Sequence, residues 1–168
     1  MVIAIIGMLA AGAISGYSAY RRAALLELSV DSLASQVYQA RDDARRSAEC
    51  SGLYFRVNGD RYDVSTFSQE FVGKKVWEEA DWQYKGCDDD INSLRELDMS
   101  DLVNVRQVFV DGLLVNEFVL KFSPPEGELN FEKEKEAKIR IQYGEEKSDR
   151  YQKDILINLL SGNVEKNN

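Results

Sequence analysis

The stretch MVIAIIGMLAAGAISGYSAYRRAALLELSVDSLASQVYQARDDARRSAEC, residues 1–50, decides how the rest of the chain is read. Residues 1–20 carry no charge, so all 21 Lys and Arg and all 29 Asp and Glu lie beyond them. As a helix this run would be about 30 Å long, the thickness of a bilayer's hydrocarbon core. Tyr17 and Tyr20 stand at its end, where interfacial aromatics belong. Arg21 and Arg22 follow at once. The positive-inside pattern would put that end in the cytoplasm, and a basic leader ahead of residue 1 would reverse the orientation. A secretory signal peptide, which opens on basic residues and closes on a small-residue cleavage site, describes the run less well than an anchor does.

Beyond Arg22 the character changes without a break. Leu26, Val30, Leu33, Val37, Ala40, Ala44 and Ala48 recur at steps of three and four, which is one face of a helix. Glu27, Asp31, Gln36, Arg41, Asp42, Arg45 and Arg46 fall on the other face, and no Pro or Gly interrupts residues 17–51. Gly52 is the expected C-terminal stop. The reading is one helix of about 70 Å by helix rise: residues 1–22 apolar all round, residues 23–50 with a single stripe to bury.

Val2-Ile-Ala-Ile-Ile-Gly-Met-Leu-Ala-Ala11 resembles the segment that follows the Gly-Phe-Thr-Leu-Ile-Glu processing motif in type IV pilins and type II secretion pseudopilins. Residues 14–22 are similar to its usual continuation, with Gly16 where many members have Pro. Residues 33–44, LASQVYQARDDA, resemble the end of the helix in minor pseudopilins of the GspH/FimT type. The resemblance is strong over the first third of the chain. Residues 1–168 lack that family's leader, cleavage motif, N-terminal Phe and Glu; the resemblance implies that such a basic leader and motif stand ahead of residue 1, and with them a methylated N-terminus and a Glu that docks the subunit into a fibre. It also implies that Ile3, Ile5, Ile6, Gly7, Leu9, Ala10, Ala11, Gly12, Ile14, Gly16, Tyr17 and Tyr20 serve membrane insertion and assembly. The small residues among them would let neighbouring helices approach closely.

From Gly52 the period becomes two. Leu53, Phe55 and Val57 alternate with polar neighbours, Asn58-Gly59-Asp60 is a turn, and Tyr62 and Val64 follow, which predicts a β-hairpin. Residues 66–100 read as an irregular insertion holding Trp77, Trp82, Cys87 and Asp88-Asp89-Asp90. Residues 103–110 and 113–122 read as strands joined at Asp111-Gly112, with further strands at 129–131, 137–143 and 155–160 and a closing turn at Ser161-Gly162-Asn163. Strands in tight succession after a lone helix predict an α+β fold, an antiparallel sheet over residues 52–164 packed on the helix stripe. Residues 155–164 resemble the last strand and Gly turn of the GspH/FimT type.

Composition excludes several functions. A net charge of −8 argues against a nucleic-acid binder. With no histidine, Ser-His-Asp and Cys-His catalysis and His-containing metal sites are ruled out. Cys50 and Cys87 lie too far apart for a CxxC motif. In an exported chain they read as one disulfide, with two buried thiols as the alternative; the bridge would contribute about 3–4 kcal/mol by loop entropy. Asp88, Asp89 and Asp90 with Asn92 offer oxygen ligands for calcium, but no EF-hand spacing follows, and a solvated acidic loop explains them more simply. Trp77 and Trp82 fit core packing better than a sugar platform. No nucleotide fingerprint or nucleophile motif is present.

The expectation is therefore a non-enzymatic minor pilin or pseudopilin. It would be held in the cytoplasmic membrane by residues 1–22, with residues 23–168 as an extracytoplasmic globular domain and other subunits as partners. The alternative is a single-pass membrane-anchored, extracellular β-rich binding protein.

Overall fold

The computed structural model describes residues 2–47, 49–71, 75–78, 81–84, 87, 91, 93–97, 99–100, 102–124, 127–129, 131, 134–144 and 151–167, without the side chains of residues 2–13, 15, 75–78, 81–84 and 128. Among the described residues one helix, α1 (Val2–Ser47), precedes twelve strands. They are β1 (Glu49–Asn58), β2 (Arg61–Glu70), β3 (Lys75–Glu78), β4 (Asp81–Tyr84), β5 (Leu94–Glu96), β6 (Val103–Val110), β7 (Leu113–Leu114), β8 (Glu117–Ser123), β9 (Glu128–Leu129), β10 (Glu136–Tyr143), β11 (Gln152–Asn158) and β12 (Val164–Asn167).

The arrangement is α+β: one long N-terminal helix packed on a large antiparallel sheet. The sheet order is β12-β11-β10-β6-β2-β1-β8-β9, with β5 beside β2 and β7 beside β6. A separate hairpin pairs β3 with β4, placing Trp77 opposite Trp82 in backbone register. Whether those two tryptophans pack in the core lies outside the described side chains.

The helix stripe meets the sheet because both patterns end in the same apolar layer. Leu26, Val30, Leu33, Val37, Ala40 and Ala44 are buried together with Leu53, Phe55, Phe118, Leu120, Phe122, Ile139, Ile141, Ile155 and Ile157. Leu33 and Val37 are fully covered. Burying side chains of this size stabilises by about 1.5–3 kcal/mol each.

The helix is shorter at its C-terminal end than residues 23–50 implied. It stops at Ser47, and Cys50 lies inside β1. Gly52 is therefore not a helix stop. It sits in mid-strand, where Gly52 pairs with Phe67 of β2 and Lys121 of β8. A glycine signals both a helix terminus and a close backbone approach, and the second applies here. A Cβ at residue 52 would fall 2.7 Å from a Phe67 ring carbon.

Other expectations are corrected by long-range pairing. β2 runs on to Glu70, into the segment read as irregular, because β1 and β2 pair continuously from Asn58↔Arg61 to Glu49↔Glu70. Residues 113–122 are not one strand returning on β6. Only Leu113 and Leu114 pair back, and β8 crosses to β1 instead. The turn at Ser161-Gly162-Asn163 does not close the last strand but leads into β12. Asn158 Oδ1 accepts the N–H groups of Leu160 and Ser161, and Gly162 takes φ 69°, so the chain reverses onto β11. Among the described residues β2 and β6 meet at one pair, Tyr62↔Val105, so the sheet has two wings.

Candidate functional site

The feature that sets this fold apart is how α1 sits on the sheet, because that decides which part of the helix is left free. Full burial starts at Leu26. Before it, Ile14, Tyr17 and Tyr20 are 71, 68 and 72% exposed. Gly16 is likewise exposed. The other expected membrane and assembly positions, Ile3, Ile5, Ile6, Gly7, Leu9, Ala10, Ala11 and Gly12, have side chains outside the described residues, although their backbone is helical. Among the described residues no helix is long and apolar enough to cross a membrane. Of the apolar run, only Ile14 and residues 16–20 have side chains within that set.

A line of polar contacts ties α1 to the β10–β12 wing. The Arg22 guanidinium lies over the rings of Tyr143 and Tyr151, 5.9 and 5.5 Å from their centroids. Glu27 pairs with Lys153 of β11. Asp31 pairs with Lys166 of β12, and its hydrogen bond raises the Lys166 pKa. Tyr38 Oη meets the Val164 backbone at 3.4 Å. The sequence places Glu27 and Asp31 only on the helix face opposite the apolar stripe. Their spacing carries a faint signal, but the partners of Glu27, Asp31 and Tyr38 lie 126, 135 and 126 residues away.

At the top of the helix, Cys50 and Cys87 form a disulfide across a sequence separation of 37. Both are buried, and Cys87 Sγ lies 3.2 Å from Ser123 Oγ. The bridge fixes the segment before β5 to the first strand. Asp88, Asp89, Asp90 and Asn92, the candidate calcium ligands, lie outside the described residues.

The opposite wing leaves a groove of about 570 Å³ between α1 and β1, β2 and β5. Gln36, Gln39 and Asp43 form its helix side, and Ser51, Thr66 and Arg95 lie on the sheet side. Four of its hydroxyls are already used within the chain: Ser51 Oγ donates to Phe67 O, Thr66 Oγ1 to Arg95 O, Ser93 Oγ to Ser68 O and Ser68 Oγ to Glu49 Oε2. Among the described residues no group of three His, Cys, Asp or Glu is placed to hold a metal ion.

On the outer face of the β10–β11 pair, Asp154 accepts two hydrogen bonds from Arg140, at 2.9 and 3.1 Å, and pairs with Lys138 at 3.0 Å. Burial pushes the Asp154 carboxyl up, but these cations outweigh it and hold it below the usual carboxylate range. All three residues have partners within the strand pair, so the cluster serves the sheet.

Compared with known protein families, curated proteins and solved structures, the chain matches none of the three.

Proposed function

We propose that this chain is a structural subunit of the type IV pilin and pseudopilin kind, of the minor GspH/FimT type. The N-terminal half of α1 is held in the cytoplasmic membrane before assembly. It then packs against the helices of other subunits in a pilus or secretion pseudopilus, with the β-rich body facing outward. The observation that carries this reading is the continuity of α1: one 46-residue helix whose later half is seated on the sheet while Ile14, Tyr17 and Tyr20 stand free. An apolar helix face is satisfied equally by lipid or by a bundle of like helices. No chemistry is assigned to the body, and the role is non-enzymatic.

The test is fractionation of cells producing the chain with its native upstream sequence and a C-terminal epitope. The expected result is a membrane pool resistant to carbonate extraction, with the epitope open to protease from outside. A second, sheared filament pool should be lost when Gly7 and Ala11 are both replaced by Leu. An epitope protected on the cytoplasmic side would overturn the reading. A membrane pool that never enters filaments would favour a membrane-anchored binding domain.

A further inference from the structure

The polar groove beside α1 coincides with an open edge of the sheet. Among the described residues β5 is bonded to β2 alone. Leu97 N–H donates to Val64 O at 2.9 Å, and an antiparallel ladder turns the main-chain groups of alternate residues to opposite sides. The N–H and C=O groups of Leu94 and Glu96 therefore point away from β2, and they have no partner among the described residues. Such an edge is a template for one more strand. The groove runs beside it, with Arg95 and Glu96 in its lining.

The walls define what the added strand must carry. Ser32, Gln36, Gln39 and Asp43 line the helix side at steps of four, three and four. That polar row is about 16 Å long by helix rise, the span of about five extended residues. On the sheet side, the hydroxyls of Ser51, Thr66, Ser68 and Ser93 have given their protons to acceptors within the chain, so toward an occupant they only accept. The occupant must bring donors, and a polypeptide brings one N–H per residue. Gln36 and Gln39 each offer a donor and an acceptor, the match for a main-chain amide, and both side chains are unpartnered among the described residues. The Asp43 carboxylate and the Arg95 guanidinium are likewise unpaired among them. The groove thus accepts a cation on its helix side and an anion on its sheet side. A sugar finds no exposed ring to stack on, since Phe67 is 3% exposed. We infer that the groove binds an extended peptide segment of a partner protein, about five residues long, polar and carrying both charges, as a strand added to β5. The site lies wholly in the body and is independent of where residues 1–22 are held.

The test pans the full chain, held in detergent micelles, against a displayed library of random heptapeptides. The selected peptides should share an acidic position and bind Arg95→Gln about tenfold more weakly. Selection repeated on Arg95→Glu should replace that acid with Lys or Arg. Gln39→Trp, which fills the groove from an exposed helix position, should abolish binding. A selected peptide, synthesised and added to the chain, should slow hydrogen exchange at the Leu94 and Glu96 amides, which attachment through side chains alone would not do. Thermal melting of each variant separates loss of binding from loss of folding. Peptides that still bind Gln39→Trp, or that leave exchange at Leu94 and Glu96 unchanged, would overturn the inference, as would a library that yields no binder. Oligosaccharides captured from a glycan array by the wild type and not by Gln39→Trp would assign the groove to sugars and overturn it as well.

Discussion

Gly52 of β1 lies directly across from Phe67 of β2, and the Phe67 ring occupies the space that a side chain at residue 52 would need. The Leu120 carbonyl closes the same space from β8. Gly52→Ala should therefore destabilise the fold by about 3 kcal/mol through overpacking, measured as a lower urea midpoint at unchanged m-value. A Gly52→Ala, Phe67→Leu double variant should recover only part of the loss, because the Leu120 carbonyl is backbone and cannot give way.

Reduction of the Cys50–Cys87 bridge should cost about 3–4 kcal/mol on the loop-entropy scale, since it closes a loop of 37 residues. The check is denaturant unfolding of the wild type with and without reductant, beside a Cys50→Ala, Cys87→Ala variant. Equal stability in all three would refute a structural role for the bond.

The two sides of α1 should respond differently to truncation. Leu33 is fully buried, so Leu33→Ala should cost about 3 kcal/mol. Leu28 is largely exposed, so Leu28→Ala should change the stability of the isolated subunit by less than about 0.5 kcal/mol. Thermal melts of the two variants decide the matter.

Asp154 gives a pH prediction with a definite sign. Its folded pKa is depressed, so its contribution is present above the unfolded carboxylate range, about pH 4, and is lost as pH falls through the folded value. Asp154→Asn should be less stable than wild type at pH 7 by about 1–2 kcal/mol, and the gap should shrink on acidification below pH 4. A gap that stays constant with pH would show that the carboxylate charge is not what Arg140 and Lys138 recognise.

Local patterns in the sequence carried the helix stripe, the Asn58–Asp60 hairpin and the existence of β6, β10 and β11, because each depends on residues close together in the chain. What was not legible depends on distant partners. β8 leaves its sequence neighbour β7 for β1, a choice made by burial of Phe118, Leu120 and Phe122 against the core rather than by any turn residue. β12 is Val-Glu-Lys-Asn, with too little alternation to announce a strand, and it forms because the Asn158–Asn163 turn returns it to β11. The lateral ties of α1 were hidden for the same reason: Glu27 and Asp31 look like any solvated acids until Lys153 and Lys166 arrive beside them. That Leu28 stands exposed while Leu26 and Val30 are buried needed the helix seated on the sheet to show which side remained free.

The strand to which the helix is joined is an inner one. β1 is bonded along one edge to β2 and along the other to β8 through Ser51–Arg56. Tension drawn through α1 therefore enters the body at the middle of the sheet, not at its margin. Two ladders must shear at once before β1 can move, whereas a peripheral strand would peel one bond at a time. The same junction is stitched by Cys50, so a pull along the helix meets a covalent stop within the first residues of the body.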